Sequence, residues 1–168
     1  MILAFDTYYR DPVAHTVCIA FRDWTQPEPD AIYRETRSGI AAYEPGAFYK
    51  RELPCILSLL QQLDLREVTA ILIDGFVYLD DDHKPGLGAH LYTALAERVP
   101  VIGVAKTNFA TLHALKQPLL RGSSDRPLYI TAIGIDVSLA AQQIGQMDGI
   151  FRMPTLLKLL DQHTRTLD

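Results

Sequence analysis

The sequence predicts an α/β fold: a mixed sheet with helices on both faces. Three observations predict it. Residues 1–38 read as three β-compatible segments joined by short turns, an antiparallel meander. Two continuous apolar runs, Ala70-Ile71-Leu72-Ile73 and Val101-Ile102-Gly103-Val104-Ala105, are as short and as apolar as strands buried on both sides. A helical pattern lies between them, the β-α-β rhythm of a parallel sheet. Finally, the runs stop at charged residues. The first ends at Asp74, the second at Lys106, and the N-terminal run Ile2-Leu3-Ala4-Phe5 at Asp6. Strand ends are where open α/β sheets put their chemistry.

The elements follow in order. Residues 1–9 form a strand, and the turn Arg10-Asp11-Pro12 leads to a second over 14–24. The turn Pro27-Glu28-Pro29-Asp30 leads to a third over 31–38. A helix over 45–63 carries the apolar stripe Phe48, Ile56, Leu59, Leu60 and Leu63. A charged loop precedes the strand 68–74, and an acid-rich irregular loop follows over 75–84. A helix over 85–98 leads to the strand 101–105. A short helix is expected around 110–116, then a polar loop, Arg121-Gly122-Ser123-Ser124-Asp125. A strand over 128–135 and helices over 137–146 and 154–163 complete the chain. This string matches the ribonuclease H-like architecture: three antiparallel strands, then parallel strands, with helices on both faces.

The chain has 168 residues, which suits a single domain with a proper core. Hydrophobic residues make up 48% and charged residues 21%, the balance of a water-soluble globular protein. A net charge of −4 argues against a broad basic surface gripping nucleic acid, but leaves room for a narrow site that holds phosphate through metal ions. Cys18 and Cys55 sit in apolar patterns and read as reduced core residues. No run approaches the roughly 20 apolar residues of a membrane span, and Asp6 interrupts the N-terminal run too early for a secretion signal. The cytoplasm, no membrane association and a monomer are the expectations.

Glu52 joins the two strand-end acids as a candidate. It falls in the middle of the apolar stripe of the 45–63 helix. A carboxylate there is desolvated, which is costly unless it is paired or binds a cation. Two readings compete: a structural salt bridge with Arg51 or Arg34, and a functional carboxylate. Asp6, Glu52 and Asp74 together would form a triad of oxygens suited to Mg²⁺ or Mn²⁺, and metals held there would activate water against a phosphodiester. Lys106 would offset charge on that phosphate. His83 follows Asp80-Asp81-Asp82 and is either a solvated loop residue or a substrate contact. Asp136 reads as a helix N-cap, with a fourth metal oxygen as the alternative.

The motifs then resemble a family. Tyr43-Glu44-Pro45-Gly46 followed by Arg51-Glu52 is similar to a Tyr-x-Pro-Gly loop before a catalytic glutamate in endonuclease V. Ile73-Asp74-Gly75, His83, Leu87-Gly88, the run from Val99 to Lys106, and Phe151-Arg152-Met153-Pro154 continue the resemblance in order. The resemblance implies an endonuclease that uses Mg²⁺ or Mn²⁺ to cleave DNA or RNA near deoxyinosine or inosine. It implies Asp6, Glu52 and Asp74 as metal-binding carboxylates and Lys106 at the scissile phosphate. Tyr43 would be a wedge filling the space of a displaced base, on a loop shaped by Pro45 and Gly46. Gly75, His83 and Gly88 would line the pocket for that base, which must leave its stack to be inspected.

The chain departs from the family pattern around the base. Phe76-Val77 replaces a polar-Gly pair, and the loop that follows is longer and carries Asp80, Asp81 and Asp82, expected to repel a polyanion. Lys84-Pro85-Gly86 and Gly134-Ile135-Asp136 also differ. Two further readings follow: a ribonuclease H-like nuclease for another modified or structured substrate, and a non-catalytic nucleic-acid-binding relative.

Overall fold

Alternation along the strands builds two cores on one sheet. In the computed structural model, which describes residues 1–45 and 47–166, β1 (Ile2–Arg10) sends Ile2 and Ala4 to one face and Leu3 and Phe5 to the other. β2 (Val13–Phe21) divides its side chains likewise. Such two-sided burial requires helices on both faces. α1 (Tyr49–Leu60) and α2 (Leu87–Ala94) cover the face of Leu3 and Phe5. α3 (Val137–Gln146) and α4 (Thr155–Arg165) cover that of Ile2 and Ala4. Cys18 and Cys55 are buried free thiols.

The sheet has seven strands in the order β3-β2-β1-β4-β5-β7-β6, with β3 at Ala31–Ser38, β4 at Ala70–Asp74, β5 at Val101–Ala105, β6 at Gln117–Leu119 and β7 at Leu128–Ile133. β1, β2 and β3 pair antiparallel, and β1, β4 and β5 pair parallel. The predicted mixed sheet is therefore present. β7, however, runs antiparallel to β5, because the intervening segment is not a crossover helix. Residues 110–116 form turns, and 117–119 form the edge strand β6. The backbone N–H groups of His113, Ala114 and Leu115 donate to Asp81, which removes them from a helical ladder. α1 also begins later than expected, so Phe48 precedes the helix and is exposed. Among the described residues no helix is long and apolar enough to cross a membrane.

Register positions the site. Phe5 pairs with Ile73, so Asp6 and Asp74 are next-door residues on neighbouring parallel strands, and Asp74 in turn pairs with Val104, two residues before Lys106. The backbone after β4 must turn sharply over β5. Gly75 does so at φ +124°, and Gly103 leaves room for it: a Cβ there would lie 2.5 Å from the Gly75 carbonyl oxygen.

Candidate active site

Asp6 and Asp74 occupy the crevice at the strand ends, where α/β sheets bind ligands. Glu52 approaches from α1 on one side. Asp6, Glu52, Asp74 and Lys106 line one cavity of about 520 Å³, together with Tyr9, Phe48, Phe76, Leu79, Leu87 and Phe109. Asp6, Asp74 and Lys106 also line a narrow cleft on the opposite side, closed by Asp161 of α4. Asp161 is a residue that sequence reasoning missed. It sits with Leu157, Leu160 and Thr164 on the buried stripe of α4. The argument that singles out Glu52, a carboxylate at helical spacing within an apolar stripe, applies to it equally. It also meets Arg165 at 3.4 Å on its outer side.

The salt-bridge reading of Glu52 does not hold. Arg51 pairs with Asp11 at 2.6 Å and lies over the Tyr9 ring, while Arg34 contacts His163. Among the described residues no Lys or Arg forms an ion pair with Asp6, Glu52 or Asp74. The electrostatics follow. Burial, then the charge of Asp74, pushes Asp6 up to about 7. Burial, then Asp6 and Asp74, holds Glu52 well above the ordinary glutamate range. Burial also raises Asp74, with Lys106 opposing it. Asp74 stands at the mouth of the site, and its charge adds to the conflict felt at Asp6 and Glu52.

This donor set fits a hard divalent cation. Its oxygens are of the kind such an ion prefers, but among the described residues no three His, Cys, Asp or Glu side chains are placed so that they could hold a metal ion as they stand. The uncompensated acids are therefore a site short of positive charge.

Lys106 is exposed at the lip of both cavities. Arg152 holds its backbone, donating to the Lys106 carbonyl and, at 2.8 Å, to that of Pro127. Tyr43 is 56% exposed and packs edge-on against Phe48, with ring centroids 5.6 Å apart. Pro45 is exposed in the same loop, which Lys50 ties to α1 through Glu44 at 3.0 Å. Gly46 lies outside the described residues.

Three predicted site residues sit elsewhere. Asp136 caps α3, accepting from Ser138 and Leu139 N–H at 2.9 and 3.1 Å. It follows the end of β7 that pairs with Val101, the opposite end of the sheet from Asp74, so it is not near the triad. His83 turns outward at φ +64° against Tyr78 and does not line the cavity. Gly88 is buried beneath Val77. The acidic loop is organised around its own carboxylates. Asp80 accepts from Asp82 and Lys84 N–H, and Asp81 from three N–H groups of 113–115, so these charges are met by backbone donors.

Comparison with known proteins places the chain beside one family. The family model described as endonuclease V matches residues 1–154. No curated protein matches the chain. Among solved structures, Ciona intestinalis endonuclease V in complex with a 24mer DNA containing an inosine followed by a ribo-adenosine is 16% identical with a TM-score of 0.78, over 98% of this chain and 84% of that one. Bacillus subtilis endonuclease V is 21% identical with a TM-score of 0.75, over 98% and 78%. Human endonuclease V is 25% identical with a TM-score of 0.70, over 98% and 82%.

Proposed function

The chain belongs to the endonuclease V family, whose model covers residues 1–154, and on that premise we propose that it is a metal-dependent endonuclease hydrolysing phosphodiesters in DNA or RNA. The observation that carries the reading is the group of acids around Asp6 and Asp74, set at parallel strand ends with no ion-paired Lys or Arg among the described residues and with Lys106 at the lip. A structural cluster of acids would be expected to carry its own Arg or Lys. This one opens instead onto a cavity large enough for part of a nucleotide.

Asp6, Glu52 and Asp74 would hold Mg²⁺ or Mn²⁺, with Asp161 on the far side of the crevice as a fourth carboxylate. Such an ion, when bound, supplies Lewis acidity for activating water and offsetting phosphate charge. The remaining work falls to side chains. Lys106 places an ammonium against the phosphate as its charge rises. Burial and the charge of Asp74 raise Asp6 to about 7 while no cation is bound, and an ion held there would keep its carboxylate ionised as a ligand. Attack of water on phosphorus with departure of the 3′ oxygen leaves a 3′-hydroxyl and a 5′-phosphate. Tyr43 and Phe48 project from the loop before α1 and would fill the gap left by a displaced base.

The family resemblance names deoxyinosine or inosine as that base. Val77, lodged against Gly88, favours a second reading, in which hypoxanthine is not selected. Both readings share one test. Oligonucleotides incubated with protein and Mg²⁺ or Mn²⁺ are cut, and Asp74→Asn slows cutting by about 10³-fold or more, the scale of losing a ligand of the reacting centre. Intact oligonucleotides under both metals would sink the nuclease.

A further inference from the structure

The space expected to receive the base is filled by this chain's own residues. A Cβ built on Gly88 would lie 2.6 Å from Val77 Cγ2, so the valine methyl sits directly on the glycine. The valine cannot easily withdraw. It is fully buried, its N–H donates to Thr131 Oγ1 at 2.9 Å, and its carbonyl accepts from Gly86 and Ala89. The Phe76 carbonyl accepts from Gly88 itself at 3.2 Å. The N–H groups of Gly86, Gly88 and Ala89, at a helix start of the kind that binds anions in other folds, are thereby consumed. With His83 turned outward, the base-reading wall expected at Gly88 and His83 does not exist here.

A different wall stands in its place. The Phe76 and Phe109 rings lie 5.7 Å apart, centroid to centroid, on the cavity that also holds the carboxylates. Phe109 belongs to the turn segment that Asp81 binds through three N–H groups, and Thr111 Oγ1 adds a bond of 2.6 Å to the Leu79 carbonyl. The acid-rich loop thus pins Phe109 against Phe76. Phe76 is itself part of the substitution after Gly75, and Phe109 lies on the segment that the acid-rich loop binds. Leu79, Leu87 and Phe48 continue the apolar lining. The volume, about 520 Å³, is in the range of small-ligand sites. Asn108, the one side-chain amide on the cavity, has its oxygen engaged by Lys116.

We infer that the nucleotide beside the scissile phosphate is held by stacking on the Phe76–Phe109 wall, and that the protein accepts any nucleobase there without selecting hypoxanthine. Every base has a π-face, so a wall that stacks without reading edges tolerates all of them. The substrate class is single-stranded or locally opened nucleic acid, in which a base is free to turn into the cavity. This inference rests on the nuclease reading, whose site it deepens, and the binding arm of its test reads the base site without cleavage.

Single strands identical except at one position, carrying inosine, adenosine or an abasic analogue, are cleaved with Mn²⁺. Inosine and adenosine strands are expected to be cut within about threefold of each other, and the abasic strand about tenfold or more slower. Separately, a strand with 2-aminopurine at that position is titrated with the Asp74→Asn variant and with the same variant carrying Phe109→Leu. Stacking quenches the fluorophore in the first, and the quench is expected to be lost in the second. A preference for inosine of about tenfold or more overturns the inference and leaves the nuclease standing. Quenching that ignores Phe109→Leu, or no quenching, also overturns it. Quenching that depends on Phe109 without cleavage of any strand supports the base site and removes the nuclease.

Discussion

The two sides of the crevice are built by different means. The hydrolytic side is set by sheet register. Asp6 and Asp74 lie abreast because β1 and β4 pair in parallel, and every residue leading to them is buried. The base side is set by loops: 75–86 and 106–116, joined by Asp81, Thr111 and the Phe76–Phe109 contact, with Phe48 lining the same cavity. A register cannot drift by one residue without turning a core face to solvent, whereas loops change freely. The comparison teaches that the acids and the aromatic wall rest on separate supports, so one side of the crevice can change while the other stays.

The hydrolytic side is broken most directly at its unexpected member. Asp161→Asn keeps the shape of the side chain and removes its charge. If Asp161 acts as a fourth carboxylate, steady-state cleavage falls about 100-fold and the Mn²⁺ concentration for half-maximal rate rises about tenfold. Unchanged metal dependence would make it only the outer partner of Arg165 and shrink the hydrolytic side to the strand ends and α1.

Legibility divides along the same line. Continuous apolar runs made β4 and β5 readable, and an acid at the end of each buried run made Asp6 and Asp74 stand out. Glu52 emerged from helical spacing, and the same spacing around Leu157, Leu160 and Thr164 would have found Asp161. The antiparallel course of β7 was not readable, because it depends on where a loop sends its N–H groups rather than on periodicity. Gly88 and His83 misled for a related reason. A motif gives the residue, but whether it lines a cavity depends on Val77, which no pattern along the chain places above it.

The charge conflict gives a second, smaller effect on the hydrolytic side. Asp6 is raised from an ordinary 3.8 to about 7, so between those values the folded protein binds more protons than the unfolded one. Stability contributed by the other groups is therefore eroded as pH rises from about 4 to about 7, and the full loss is present above it. Asp6→Asn removes the conflict. In buffer free of divalent ions at pH 8 it is expected to stabilise by on the order of 2 kcal/mol, discounted for the partial exposure of Asp6, with Tm higher by about 4–8 °C. At pH 4 the two proteins should melt together. Saturating Mg²⁺ at pH 8 should stabilise the parent and not the variant, narrowing or reversing the gap. A gap that is the same at both pH values would mean that Asp6 is not the stressed acid.

The base side is sharpened by loosening it without touching the cavity. Asp81 lines no part of the site, yet its carboxylate accepts from His113, Ala114 and Leu115 N–H at 2.9, 2.8 and 3.4 Å. These donors hold Asp81 below the usual aspartate range, so the bond set persists across neutral pH. Asp81→Ala leaves three N–H groups to water and frees the segment bearing Phe109. Amide exchange over 111–116 is expected to speed up about fivefold, the scale of losing an exposed cap. Asp82→Ala, in the same loop, should leave it unchanged, since no N–H group among the described residues donates to the Asp82 side chain. The exchange of β1 and β4 amides should not respond to either change, because their protection comes from the buried register. If Asp81→Ala reached those strands, the two sides of the crevice would be one cooperative unit and the division between chemistry and selectivity would not be a physical one.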